Sequence, residues 1–119
     1  MIADSALTYT AINPASNITR CFTGSYTGDG NATKAITGVG FPPKFLKINA
    51  QASSVSSSFE KTNQDGTKCA YDQGGAWYYE DDYVISLDAN GFTVGDGTGG
   101  SSAEHANKLN RVYTVIAYG

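Results

Sequence analysis

The sequence predicts an all-β domain, a single antiparallel β-sandwich of jelly-roll kind with short hairpins and an extended N-terminal arm, on three observations. First, 119 residues suffice for one core and argue against a second domain. Second, seven Ile, six Val and twelve Thr stand against four Leu and one Met, and side chains branched at Cβ suit a pleated sheet better than a helix. Third, 14 Gly, 8 Asn and 8 Asp supply the tight turns that many short strands require.

Residues 1–18 show no sustained period of 2 or 3.6 and read as an arm outside the core, leaving 19–119 as the sandwich. The stretch 19–37 reads as a hairpin turning at Gly28-Asp29-Gly30-Asn31. The glycines and proline pair of 37–43 make a crossing loop, because proline cannot donate to a ladder. In the strand 44–50, Leu46, Ile48 and Ala50 fall on one face and Phe45, Lys47 and Asn49 on the other, the alternation of a sheet with one side in a core. A serine run at 51–58 reads as a loop or weak edge, and 58–71 as a second hairpin turning at Asp65-Gly66.

In 72–82 three adjacent aromatics stand beside three carboxylates, so no one face can bury the segment. A third hairpin spans 83–94 around Ala89-Asn90-Gly91. The glycine-rich tract 95–107 is a loop with room for a turn of helix at 101–107. The closing strand, 108–118, is apolar or aromatic on both faces, which predicts a central strand or an outer face covered by another subunit.

Charge and composition exclude several function classes. A net charge of −3 with eight scattered basic residues offers no track for a phosphate backbone, so no nucleic-acid partner is expected. No apolar run approaches the roughly 18 residues of a membrane span, and the N-terminus lacks the order of a signal peptide, so a soluble chain without a membrane partner is expected. Cys21 and Cys69 are too few and too far apart for a zinc finger. A disulfide between them and a pair of small buried thiols both remain open, the thiols being preferred.

Four segments, GSYTGDGNATKAITGVGFPPKFLKI at 24–48, ISLDANGFTVGDG at 85–97, the lead-in at 107–110 and VYTVIAYG at 112–119, together resemble the small β-sandwich domain of tailed-bacteriophage virion proteins. Each motif is turn chemistry joined to strand chemistry; their order and spacing carry the resemblance. Residues 51–82 match none of its motifs. The resemblance implies a non-enzymatic structural protein of the virion, made in the host cytoplasm and assembled on the particle. A chain of this length suits a capsid decoration (cement) protein bound to the major capsid protein or other virion subunits, with the arm bridging to a neighbour. A homo-oligomer is expected, with three copies as the working number. The alternative is a receptor-binding or carbohydrate-binding module at a tail tip or fibre.

The chemistry-bearing residues support binding rather than catalysis. His105, the one histidine, has its Ser and Glu neighbours in sequence, whereas triad partners converge from separate elements. Glu80, Asp81 and Asp82 are adjacent, whereas glycosidase carboxylates face each other across a sugar. Asp29-Gly30-Asn31 and Asp96-Gly97 are turns, lacking the ligand spacing of a calcium loop. No catalytic residue, metal ligand or cofactor is therefore assigned. Trp77, Tyr78 and Tyr79 are the candidate interface or ligand-binding residues. Consecutive aromatics alternate sides of a strand, so when one or two enter the core the other is left outside; packing of the cluster within the core remains the competing expectation.

Overall fold

A computed structural model describes residues 20–50, 57–73, 75–96 and 106–119. The expected arm, the serine run up to residue 56 and most of the glycine-rich tract, His105 included, lie outside the described residues. Nine strands run through the described chain: β1 (Cys21–Thr27), β2 (Thr33–Thr37), β3 (Phe45–Ala50), β4 (Ser57–Thr62), β5 (Lys68–Gln73), β6 (Ala76–Asp81), β7 (Val84–Asp88), β8 (Gly91–Gly95) and β9 (Val112–Tyr118). Six form one sheet in the order β1-β9-β3-β4-β5-β6 and three form a second, β2-β8-β7. Every ladder is antiparallel. The antiparallel sandwich predicted from the β-branched excess is the observed fold.

Period-two alternation sets the core. Leu46 and Ile48 of β3, Phe59 of β4, Tyr71 of β5, and Tyr113, Val115 and Ala117 of β9 turn inward from the large sheet. Val84, Phe92 and Val94 meet them from the small one. Rings join the layers: Tyr26 stacks on Tyr113 at 4.9 Å and meets Phe92 edge-on at 5.8 Å, while Tyr83 lies 4.6 Å from Tyr71 and 5.9 Å from Phe59. Each such side chain contributes roughly 1.5–3 kcal/mol by leaving water. As predicted, β9 is an interior strand, between β1 and β3. Its outer face is nonetheless exposed at Val112, Ile116 and Tyr118.

The hairpin expected at 19–37 does not form. β1 pairs with β9 and β2 with β8, so the chain crosses from one sheet to the other at Gly28-Asp29-Gly30-Asn31. The reason is that this backbone is committed to the turn before β9. Gly28 N–H donates to Arg111 O (2.8 Å), Gly30 N–H to Asn107 O (3.0 Å), and Gly28 O accepts from Asn110 N–H (3.0 Å). The buried Asn107 amide accepts from Asp29 N–H at 3.0 Å and donates to Asp29 Oδ1 at 2.8 Å and Asn31 O at 2.9 Å. Gly28 is required here, since a Cβ would stand 2.1 Å from Lys108 O. The same turn, with Asn110 at φ 64°, delays the start of the closing strand from 108 to Val112.

The other two hairpins form where the turn residues place them, β4–β5 through Gly66 at φ 62° and β7–β8 around Ala89-Asn90. Asn90 also holds the crossing loop, accepting from Gly40 N–H through Oδ1 (2.6 Å) and from Val39 N–H through its carbonyl (3.2 Å). Both cysteines are free thiols. β1 and β5 stand four strand spacings apart, about 19 Å, beyond the reach of a disulfide. Cys69 is a buried apolar group as expected, and burial pushes its thiol up to about 11. Cys21 is exposed, contrary to expectation, because its alternation in β1 puts it on the outer face with Thr23 and Ser25.

Candidate functional site

The β5–β6 hairpin carries the candidate residues. Gly75 at φ 93° closes its tip, and its N–H donates to Asp72 Oδ1 at 3.1 Å, the turn chemistry that an Asp before a glycine pair supplies. Among the described strands β6 pairs with β5 alone and is the edge of the six-stranded sheet. The register puts Trp77 opposite Asp72, Tyr78 opposite Tyr71 and Tyr79 opposite Ala70. Trp77 and Tyr79 therefore lie on the outer face, away from the small sheet, and Tyr78 on the inner face.

None of the three enters the core: Trp77, Tyr78 and Tyr79 are 54%, 44% and 52% exposed. The alternation was read correctly, but the burial expected for one or two of them is not found. The small sheet has three strands against six, and its β7 packs over β4 and β5, so β6 overhangs. Tyr78 has the Tyr71 ring beneath it at 5.2 Å, and Tyr71 in turn donates from its hydroxyl to Glu80 Oε2 at 3.2 Å.

Polar neighbours fix Tyr79 in the outer aromatic row. Tyr79 donates from its hydroxyl to Asp65 Oδ1 at 3.0 Å, and the Lys68 ammonium stands 6.0 Å from its ring centre. Lys68 also pairs with Asp81 Oδ2 at 3.2 Å, whose Oδ1 accepts from Thr67 Oγ1 at 2.6 Å. Glu80 and Asp81 thus engage partners on opposite faces of β6 rather than facing one another across a cleft.

A second apolar bank occupies the same outer face. Ile116 and Tyr118 of β9 stand beside Lys47 and Phe45 of β3, with the Phe45 and Tyr118 rings 6.2 Å apart. β9 and β6 are four strand spacings apart, about 19 Å. The strip between them is polar, with Lys47 and Glu60 paired at 3.8 Å and Ser58 bonded to Asn49. Among the described residues the outer face therefore carries an apolar bank at β9 and an aromatic one at β6.

Sequence reasoning missed Lys61. It shares the inward parity of Phe59 in β4 and is 2% exposed, its ammonium donating to Gly66 O at 2.6 Å and to Lys68 O. Burial pulls its pKa down, against the opposing pull of Cys69, Asp65 and Asp81. With Pro43, Asn63, Gly66, Ser86 and Leu87 it lines a cleft of about 210 Å³ near the β4–β5 turn, away from the aromatic hairpin tip. The sequence signal was present, an inward position two residues after a core Phe, but a lysine in a hairpin ordinarily reads as solvated. Among the described residues no group of three or more His, Cys, Asp or Glu side chains is placed to hold a metal.

Three carboxylates are held below the usual range. At Asp65 burial pushes upward, but hydrogen bonds from Thr62 and Tyr79 and the charge of Lys61 outweigh it. Asp81 is lowered by Thr67 and Lys68, and Asp29 by the Asn31 N–H and the Asn107 amide. Carboxylates with depressed folded values stabilise fully above their unfolded pKa, about 4, and lose that contribution as pH falls through the folded values. The thermal unfolding midpoint is accordingly expected to drop on acidification below about pH 4, and Asp65→Asn to flatten that drop, as followed by circular dichroism. A midpoint independent of pH down to 2 would contradict these assignments.

Neither the family models nor the curated proteins nor the solved structures compared with the chain contain a match to it.

Proposed function

We propose that the protein is a non-enzymatic structural component of a bacteriophage virion, a decoration subunit that binds the head shell through the outer face of its six-stranded sheet. The observation that carries this reading is the placement of Trp77 and Tyr79, each about half exposed, side by side on the outer face of the six-stranded sheet. Aromatic side chains exposed in a row on such a face suit a broad protein surface, where Trp and Tyr anchors dominate binding energy. The Ile116, Tyr118 and Phe45 bank extends that face, and the resemblance of the turn and strand motifs supplies the setting. The partners in this reading are the major capsid protein or other virion subunits.

A tail-tip receptor-binding or carbohydrate-binding module is favoured by one separate observation. Trp77 and Tyr79 are two residues apart on one face, about 7 Å, a spacing on which sugar rings stack. Localisation separates the two. In purified particles, imaging and protein identification are expected to place the polypeptide on the head shell. Its presence at the tail tip, together with glycan binding that Trp77→Ala abolishes, would replace the decoration reading with the second one; absence from particles would overturn both.

A further inference from the structure

We propose that β6 pairs antiparallel with β6 of a second copy, about a two-fold axis through Tyr78, joining two six-stranded sheets into one. This builds on the reading of the hairpin as an interface, but it uses the backbone edge of β6 that faces away from β5, against which no described strand lies, rather than its outer face. β6 ends the order of the described strands, it carries no proline, and its charged residues, Glu80 and Asp81, are confined to its last two positions, which leaves 76–79 without the charges by which edge strands commonly discourage pairing.

The choice of a second copy rests on the self-complementary pattern of the strand. In an antiparallel pair, residues directly opposite point to the same face, so a two-fold axis normal to the sheet requires their numbers to sum to twice that of the axial residue. With the axis at Tyr78, Trp77 stands opposite the partner's Tyr79 and Tyr79 opposite the partner's Trp77, giving two aromatic cross-strand pairs on the outer face. The two Tyr78 rings meet on the inner face. Glu80 and Asp81 fall opposite the small Ala76 and Gly75, so no carboxylate meets another.

Neighbouring registers lose this match. An axis at Tyr79 sets Trp77 against Asp81 and Tyr78 against Glu80, and an axis at Glu80 sets the two Glu80 carboxylates against each other. An axis at Trp77 shifts the pairing off the strand toward the glycine tip and leaves Tyr79 opposite Gly75. The arrangement closes at two copies, in place of the three expected from sequence. It also gathers four outer aromatics at the centre of the joined face, with an apolar β9 bank on either side.

The test is sedimentation of the full chain over a concentration series. The native chain is expected to show a monomer–dimer equilibrium. A chain carrying Trp77→Lys and Tyr79→Lys, and another carrying Trp77→Glu and Tyr79→Glu, are each expected to stay monomeric, because like charges then face across the axis. Their equimolar mixture is expected to regain dimers, since every cross-pair becomes Lys against Glu. Both positions are about half exposed, and the near-ultraviolet spectrum from the core tyrosines reports that each variant is folded. As a check that leaves the outer aromatics Trp77 and Tyr79 unchanged, Tyr78→Cys in a Cys21→Ser chain is expected to form a disulfide-linked dimer in air, because directly opposite Cα atoms lie within about 4.5–5.5 Å.

A native chain that is monomeric throughout or trimeric, charged variants that still dimerise alone, a mixture that does not dimerise, or a Tyr78→Cys chain that does not cross-link would each overturn the pairing. Attachment to the particle is read separately, from occupancy, so loss of the dimer with occupancy retained removes this inference and leaves the decoration reading standing.

Discussion

Gly91→Ala is expected to lower the unfolding midpoint by more than about 12 °C, equivalent to at least about 3 kcal/mol in a domain of this size. Gly91 lies in β8 between Thr37 of β2 and Asp88 of β7. A Cβ there would stand 1.8 Å from Ile36 O and 2.9 Å from Ile36 C, both backbone atoms of the neighbouring strand. No rotamer change relieves that overlap, so β2 must move. Among the described strands β2 pairs with β8 alone, which makes its displacement equivalent to losing that ladder. Gly24→Ala is the matched comparison in β1: its Cβ would meet the end of the Phe22 ring at 2.6 Å, a side chain able to swing aside. The expected cost there is under about 1.5 kcal/mol, so thermal unfolding of the two variants separates backbone crowding from a general dislike of alanine in strands. Equal midpoints would show that β2 is not packed against Gly91 as described.

The strands whose alternation is clean are legible in the sequence. Leu46 and Ile48 in β3, and Tyr113, Val115 and Ala117 in β9, face the core where period two puts them. The β7–β8 turn follows from Ala89-Asn90 because that chemistry is local. The error at Gly28-Asp29-Gly30-Asn31 has the opposite origin. That sequence has hairpin chemistry, but its hydrogen bonds go to Asn107 and Arg111, some 80 residues away, and no local pattern reports them. The candidate aromatics stand out by their adjacency in the sequence, whereas the partial exposure of all three depends on the small sheet stopping short of β6, a matter of how many strands each sheet contains. Lys61 escaped for a related reason, since its burial depends on carbonyls of the following turn being presented to its ammonium.

Particle occupancy is where the central claim, that the outer aromatic row of the sheet is the attachment surface, meets its most direct measurement. Among the described residues Trp77 and Tyr79 belong neither to the core cluster nor to the side chains packed against it, and each is about half exposed. Replacing both with alanine removes the two anchors while Tyr71, Tyr83 and Phe59 still hold the sheets together. An anchoring aromatic at a protein interface is worth roughly 2 kcal/mol or more, about 30-fold in affinity for each residue lost. Particles lacking the protein, incubated with native and variant chains at equal concentration and then pelleted, give the occupancy directly. The Trp77→Ala, Tyr79→Ala chain is expected to keep a folded near-ultraviolet spectrum and to lose no more stability than the roughly 1 kcal/mol of the Tyr79–Asp65 hydrogen bond, yet to need at least about 30-fold more protein to reach half occupancy. A folded variant that fills the particle at the native concentration would contradict it.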